Sequence, residues 1–371
     1  APTSYFLQIL ASLLCSPASK DIVEKYGKDY ASSPDKMIFN GPFAITDWQH
    51  DSSMTLTKNE NYWNKDRIKL DKVEETILDD KETALNLYND DELDYTPVPS
   101  SEYAKYPDAK ATPTGGVDYV QFNLKCGNKF LENKNFRKAL SYGINREEYV
   151  KLTSNGTNEP SSRLVLPYVV SSEEDKNYGE AYPYEPYALG GDNNQAKEYL
   201  NKALQELNVS DPSQATFKLS YAEGDATRKV VEALQEQWKK NLGISVTLDP
   251  VPYATLYDNA NAEKFESMYT GWVMDYADPT SYLDLFPTGA GDNRSQYSNT
   301  KFDEYMKTAD TTTDAKKRMD SLFEAEKVVL DDLPVLPLDV TMQKSLVKDN
   351  VKNFEFCDVN TSYSLLDTDI Q

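Results

Sequence analysis

The stretch Gly271-Trp272-Val273-Met274-Asp275-Tyr276-Ala277-Asp278-Pro279 sets one acidic group between an apolar, aromatic run and a helix start. Met268 to Met274 predicts a strand. Asp278-Pro279 predicts a helix N-cap followed by Pro at the first helical position. Asp275 therefore falls at a strand end, where ligand contacts in α/β domains tend to lie. A partly desolvated carboxylate is a good partner for an ammonium group. The plain alternative is that Asp275 only caps a turn, and the local residues by themselves favour it.

Other chemistries find little support. No Gly-x-Ser-x-Gly elbow, P-loop or Gly-x-Gly-x-x-Gly occurs. The only histidine, His50, lies between Gln49 and Asp51 and reads as a solvated side chain. The acidic pairs Asp79-Asp80, Asp90-Asp91 and Asp331-Asp332 could suggest glycosidase carboxylates. They lie in polar stretches and read as solvated faces or turns. Cys15, Cys126 and Cys357 are widely spaced, with no Cys-x-x-Cys or Cys/His cluster, so no metal site is expected. Their odd number leaves at least one free thiol unless it pairs between chains. No cofactor is implied.

The chain has 371 residues, enough for two domains and a sizeable core. Its formal net charge is −22 and its pI about 4.5. Nucleic-acid binding needs a basic face, so that class is excluded, and loose binding to anionic lipid is disfavoured. The 26 tyrosines suit surfaces that hold varied ligands, although core packing explains most of them equally well. No run approaches a transmembrane helix. Leu10-Ala11-Ser12-Leu13-Leu14-Cys15 superficially resembles a secretory apolar region with a lipobox. No basic segment precedes it and Leu14 is too large for the cleavage position. The expectation is instead an amphipathic segment with Phe6, Ile9, Leu10 and Leu13 on one face.

The elements that must position Asp275 follow from periodicity. Residues 36–80 read as β-rich, with turn chemistry at Asn40-Gly41-Pro42 and strand candidates at Thr55–Lys58 and Val73–Leu78. Lys81 to Tyr88 reads as a short helix. Asp118 to Asn123 reads as a strand after Gly115-Gly116. Asn135 to Leu152 reads as two helices meeting near Gly143 and Asn145. Residues 155–192, rich in Pro, Gly, Ser and Tyr, read as a long loop. Phe217–Tyr221, then a helix carrying Val230, Val231, Leu234 and Trp238 up to Gly243, then Ile244–Leu248 form a β-α-β unit. Phe302 to Leu330 reads as helical, and Pro334 and Pro337 frame a short extended segment, Val335 to Val340. The class is α/β, with mixed sheets flanked by helices.

Several segments together resemble the family 5 extracellular solute-binding proteins, the peptide-binding receptors of ABC importers. They are Phe39-Asn40-Gly41-Pro42-Phe43 with Trp48, Asn61-Tyr62-Trp63 through Leu70-Asp71-Lys72-Val73, and Tyr119 to Asn123. Phe136-Arg137-Lys138-Ala139-Leu140, Ile144-Asn145-Arg146-Glu147 and Leu242-Gly243-Ile244 follow. Trp272 to Pro279, Tyr297-Ser298-Asn299 with Phe302-Asp303, Arg318, and Pro334 to Leu338 complete the set. Each is weak alone. Their order and spacing over nearly the whole chain make the combination specific.

The resemblance implies a two-lobed, periplasmic-binding-protein-like (type II) fold with a two-strand hinge. Residues 1–15 would be a remnant of a small extra domain. Residues 16–118 and 341–371 would form an incomplete lobe I, and residues 119–340 lobe II. Tyr119–Asn123 and Leu336–Val340 would cross between them. Family members carry a longer N-terminal part, so the chain is expected to be a C-terminal fragment of about two-thirds of a receptor. Any membrane attachment would come through an anchor outside this chain. The implied location is extracytoplasmic, with a cell-surface lipoprotein of a Gram-positive bacterium favoured over a periplasmic protein.

The implied function is non-enzymatic: capture of an oligopeptide between two lobes and delivery to the permease subunits of an ABC transporter. Asp275 matches the carboxylate that pairs with the peptide α-amine. Trp272 matches a cleft aromatic and Tyr119 a hinge tyrosine facing the ligand. Tyr269, Met274 and Tyr276 complete the expected binding set. Asn123 shares a strand with Tyr119 and could be purely structural. Tyr269 and Ala260 stand where enterobacterial receptors carry arginines, which argues against a fixed clamp on the peptide carboxylate and for looser control of peptide length. The alternatives are a peptide pheromone or a non-peptide solute on the same fold, and more remotely an acidic secreted hydrolase.

Overall fold

The computed structural model describes residues 3, 5–11, 15–173, 175–356 and 363–371. Along the chain come α1 (Phe6–Ala11), α2 (Lys20–Tyr26), β1 (Phe43–Gln49), β2 (Ser53–Lys58), β3 (Lys72–Thr76), α3 (Lys81–Asn89), β4 (Tyr95–Pro97) and β5 (Lys110–Phe122). Then follow α4 (Lys129–Glu132), α5 (Lys134–Tyr142), α6 (Arg146–Thr153), β6 (Glu159–Pro160), α7 (Tyr178–Ala181), α8 (Asn193–Glu206), β7 (Thr216–Ala222), α9 (Asp225–Leu242) and β8 (Ser245–Val251). The remainder is α10 (Tyr253–Asn261), β9 (Ser267–Val273), α11 (Thr280–Leu283), α12 (Thr300–Thr311), α13 (Ala315–Asp332), β10 (Val335–Val347) and four two-residue strands, β11 (Val351–Lys352), β12 (Glu355–Phe356), β13 (Tyr363–Ser364) and β14 (Asp369–Ile370). The chain divides into two compact units, Ala1–Gln8 with Pro113–Met342, and Ile9–Thr112 with Gln343–Gln371.

The first unit is a mixed sheet in the order β10-β5-β9-β7-β8, with β6 added along β10. β7 and β8 are parallel because α9 carries the chain between them, whereas β5 and β9 are antiparallel. Val231, Leu234, Trp238 and Leu242 recur at helical spacing on α9 and are all buried. Gly243 ends the helix in the left-handed region (φ 69°), where a Cβ would be strained. Trp238 is wholly buried against Phe217, and its Nε1 donates to the Leu140 carbonyl at 3.0 Å. An indole buried in an apolar core needs such an acceptor. Phe136, Leu140, Tyr149, Leu200 and Leu204 from α5, α6 and α8 complete this core.

The second unit holds an antiparallel meander, β1-β2-β3. Asn59, buried at its end, donates Nδ2 to the Phe39 and Gly41 carbonyls and so pins the Asn40-Gly41-Pro42 turn. β4 pairs with the last residues of β10, Ser345 opposite Pro97 and Val347 opposite Tyr95. Tyr95, Phe354 and Tyr363 gather beside that pairing, with ring centroids 5.0–5.4 Å apart.

Several expectations need correction. The long helix over 302–330 is two, because Thr312 leaves the helical region and Asp314 starts α13 by accepting the Lys317 N–H. The return strand continues past Val340 to Val347, since β4 supplies a second pairing partner. The strand expected from Asp118 begins at Lys110 and runs through both glycines. The helix after Asp278 starts at Thr280, with Pro279 in the cap position, one residue later than expected. On α1, Phe6 and Leu10 are 53% and 48% exposed, so their stripe is not buried. Leu13 and Cys357 lie outside the described residues. Cys15 is exposed and Cys126 half-buried, and both are free thiols.

Candidate functional site

Strand register sorts the six candidate residues. Tyr119 stands opposite Thr270, Val117 opposite Trp272, and Val120 opposite Tyr269 on β5 and β9. Side chains alternate along a strand, so Tyr119, Thr270 and Trp272 share one face and Tyr269 points to the other. The structure therefore brings Trp272 and Tyr119 to the same side and separates Tyr269 from them. Tyr269 donates its hydroxyl to Asp118 Oδ2 at 2.7 Å, and loss of water around it pushes its pKa well up. Ala260 is buried in a small cluster with Leu256, Phe265 and Met268.

Past the strand, the chain is held by backbone contacts that follow from its glycine. Gly115 sits at φ 77°, and its carbonyl accepts both the Met274 N–H and the Tyr282 hydroxyl, each at 2.9 Å. That fixes Met274, which is buried, at the end of β9. The Asp275 N–H goes to Ser281 Oγ at 2.9 Å, so its backbone is anchored from α11. Its side chain is exposed, and among the described residues nothing donates to the carboxylate. Partial loss of water, then the nearby charge of Asp292, hold its pKa above the usual carboxylate value. Tyr276 stacks on Tyr5, rings 5.0 Å apart and nearly parallel.

Asp278 has a different task from capping alone. It is buried and paired with Arg318 of α13, and the same carboxylate accepts from the Thr280 N–H at 3.0 Å. Arg318 in turn lies over the Tyr5 ring, 4.8 Å from its centroid.

Tyr119 is only 4% exposed within this face. Loss of water, then the neighbouring Tyr257, push its hydroxyl pKa upward, opposed by Arg294. Tyr257 of α10 meets Thr270 Oγ1 at 2.9 Å, and the Arg294 guanidinium lies 5.6 Å from the Tyr257 ring. Trp272 Nε1 is buried without a hydrogen-bond partner among the described residues. Arg294, Tyr257, Asp292 and Thr270 thus border the candidate residues, and sequence reasoning missed them. The helical spacing of Tyr253 and Tyr257 just before β9 was the available signal. Nothing local marked Arg294, which lies in a loop.

The remaining acidic pairs are structural or solvated. Asp80 caps α3, Asp91 pairs with Lys348, and Asp331 and Asp332 pair with Lys134. His50 is exposed, its Nε2 3.0 Å from the Ser32 carbonyl oxygen. Among the described residues no group of three or more His, Cys, Asp or Glu could hold a metal ion, and no helix is long and apolar enough to cross a membrane.

The family model for bacterial extracellular solute-binding proteins, family 5 Middle, matches residues 1–294, most of the chain. The chain belongs to the family 5 solute-binding proteins. It is 34% identical over 347 residues to the oligopeptide-binding protein OppA of Bacillus subtilis, covering 91% of this chain and 62% of that relative. It is 30% identical over 360 residues to the dipeptide-binding protein DppE of the same organism, covering 95% of this chain and 64% of that one. The chain thus spans less than two-thirds of the length of these two relatives. Among solved structures, OppA of Listeria monocytogenes bound to peptide superposes with a TM-score of 0.79 at 30% identity, over all of this chain and 72% of that one. The pheromone receptor PrgZ superposes with a TM-score of 0.80 at 29% identity and the same coverage. The type II α/β fold of family 5 accounts for the mixed sheet and its flanking helices.

Proposed function

We propose that this chain is the larger part of an extracytoplasmic receptor that captures oligopeptides and delivers them to the permease subunits of an ABC importer. The observation that carries the reading is Asp275: its backbone is anchored to Ser281 while its carboxylate is exposed and takes no hydrogen bond among the described residues. Asp292, itself paired with Arg294, adds to the negative charge around Asp275. An ammonium group such as a peptide α-amine would pair with the Asp275 carboxylate. Trp272 offers an indole N–H with no acceptor among the described residues, suited to a peptide carbonyl. The names of relatives, oligopeptide-binding, dipeptide-binding and peptide-bound, support the same ligand class.

The division into lobes at 118/119 and 340/341, attachment as a lipoprotein of a Gram-positive cell surface, and the absence of catalysis belong to this proposal. A peptide pheromone is a second reading, favoured by the similarity to PrgZ. The test is calorimetric titration of the complete receptor with a short peptide and its N-acetylated form. Acetylation should weaken binding strongly in the unaltered receptor and little in Asp275→Asn. Equal binding of both peptides by the unaltered receptor would remove Asp275 from amine recognition.

A further inference from the structure

Asp339 of β10 is 1% exposed, and its Oδ1 has no hydrogen-bond partner among the described residues. β10 runs beside β5 in the opposite direction: Thr112 Oγ1 donates to the Gln343 carbonyl and the Phe122 N–H to the Pro334 carbonyl. The hydroxyls of Thr114 and Thr341 meet across the two strands, so these side chains share a face. Two-residue periodicity then puts Gly116 and Asp118 on the same face as Asp339. Asp339 stands across from Gly116 and diagonal to Asp118, whose charge bears on it.

The groups facing this pair come from each neighbouring element. Tyr269 of β9 donates to Asp118 Oδ2 at 2.7 Å. Tyr149 and Thr153 come from α6, and Asn158 from the loop before β6. None of these is basic. Loss of water pushes the Asp118 carboxyl up to about 6 against the Tyr269 hydrogen bond. Loss of water and the Asp118 charge push Asp339 well above the ordinary carboxylate range. Two facing carboxylates without a cation cannot both be ionised at little cost.

We propose that Asp118 and Asp339 form a proton-binding site, the pair holding one proton at neutral pH. The proton relieves the repulsion between the two carboxylates and neutralises the buried Asp339 carboxyl, whose Oδ1 has no hydrogen-bond partner among the described residues. The sign of the linkage follows. Both folded-state values lie above the roughly 3.9 of an unfolded aspartate. Over that interval the folded chain binds more protons than the unfolded one, so stability falls as pH rises and returns on acidification.

The test uses this chain, infrared difference spectroscopy between about pH 7 and pH 9, and thermal unfolding over the same range. Asp118→Asn and Asp339→Asn are compared with the unaltered chain, and Asp284→Asn serves as a control for another raised carboxyl. A protonated-carboxyl band that disappears at alkaline pH is expected in the unaltered chain and in the control. It should be lost in Asp339→Asn and should disappear at lower pH in Asp118→Asn, and the unfolding midpoint of either variant should rise at alkaline pH. If one variant fails to fold, the other decides. A band whose pH dependence neither substitution changes, or a midpoint that depends on which alkali cation is present rather than on pH, would overturn the proposal.

Discussion

Arg318 holds Asp278 in a parallel pair of hydrogen bonds, Nη1 to Oδ2 at 2.9 Å and Nη2 to Oδ1 at 2.8 Å. Both side chains are buried. Asp278 Oδ1 also accepts the Thr280 N–H and hydroxyl, at 3.0 and 2.7 Å. One carboxylate therefore fixes the start of α11 and ties it to α13, and Ser281 of α11 in turn holds the Asp275 backbone.

Removing one partner of a buried ion pair leaves the other charge without compensation, which costs about 3–5 kcal/mol. Arg318→Ala should lower unfolding free energy by that amount in urea titrations. Arg318→Lys should recover only part of it, because an ammonium cannot make two parallel bonds to one carboxylate. Full recovery by lysine would mean that charge alone holds the turn.

Gly271 lies opposite Asp118 in the β5–β9 ladder. A Cβ there would lie 2.5 Å from Asp118 Oδ1 and 2.9 Å from the Val117 carbonyl oxygen. The backbone oxygen cannot move aside cheaply, so Gly271→Ala should destabilise by about 1–3 kcal/mol. Thermal unfolding of the variant measures this. An unchanged midpoint would show that the strands can separate slightly without loss.

The β-α-β unit from Phe217 to Leu248 was legible because each segment carries its own signal: alternation, a helical apolar stripe, and Gly243 as a stop. The family was legible from ordered short motifs, none decisive alone. The candidate site was legible only in part. Asp275 and Trp272 announce themselves through type and position, but which sheet face Tyr269 occupies depends on its register against Val120, a non-local fact. Arg294 approaches Tyr257 from a loop with no periodicity to place it. Asp118 and Asp339 are 221 positions apart in sequence, and only strand order brings them together.

Acid should act on the first unit through Asp332. Loss of water raises its pKa, but hydrogen bonds from Lys134, Tyr297 and Asn299 outweigh that and hold it below the ordinary value. A lowered carboxylate contributes stability that is complete above its unfolded value of roughly 3.9 and disappears as pH falls through the folded value. Asp332→Asn should therefore be less stable than the unaltered chain near pH 6, and the difference should shrink below about pH 4. Chemical unfolding at a series of pH values reads this out. A gap that persists at low pH would mean that the loss comes from geometry rather than charge.

Asp275 should separate binding from stability. Its carboxylate is exposed and receives no hydrogen bond among the described residues, and its raised pKa means that the folded chain slightly disfavours its charge. Asp275→Asn should therefore change unfolding free energy by no more than about 0.5 kcal/mol, as for surface substitutions away from caps and pairs. If the carboxylate meets a desolvated ammonium, the same substitution should weaken peptide binding by about 2–5 kcal/mol in the complete receptor. Arg318→Lys provides the contrast, because it should lower stability first and affect affinity only through the displaced turn. A variant at 275 that loses stability and affinity in proportion would place Asp275 with Asp278 as part of the scaffold. Lost affinity at unchanged stability would identify it as the group that meets the ligand.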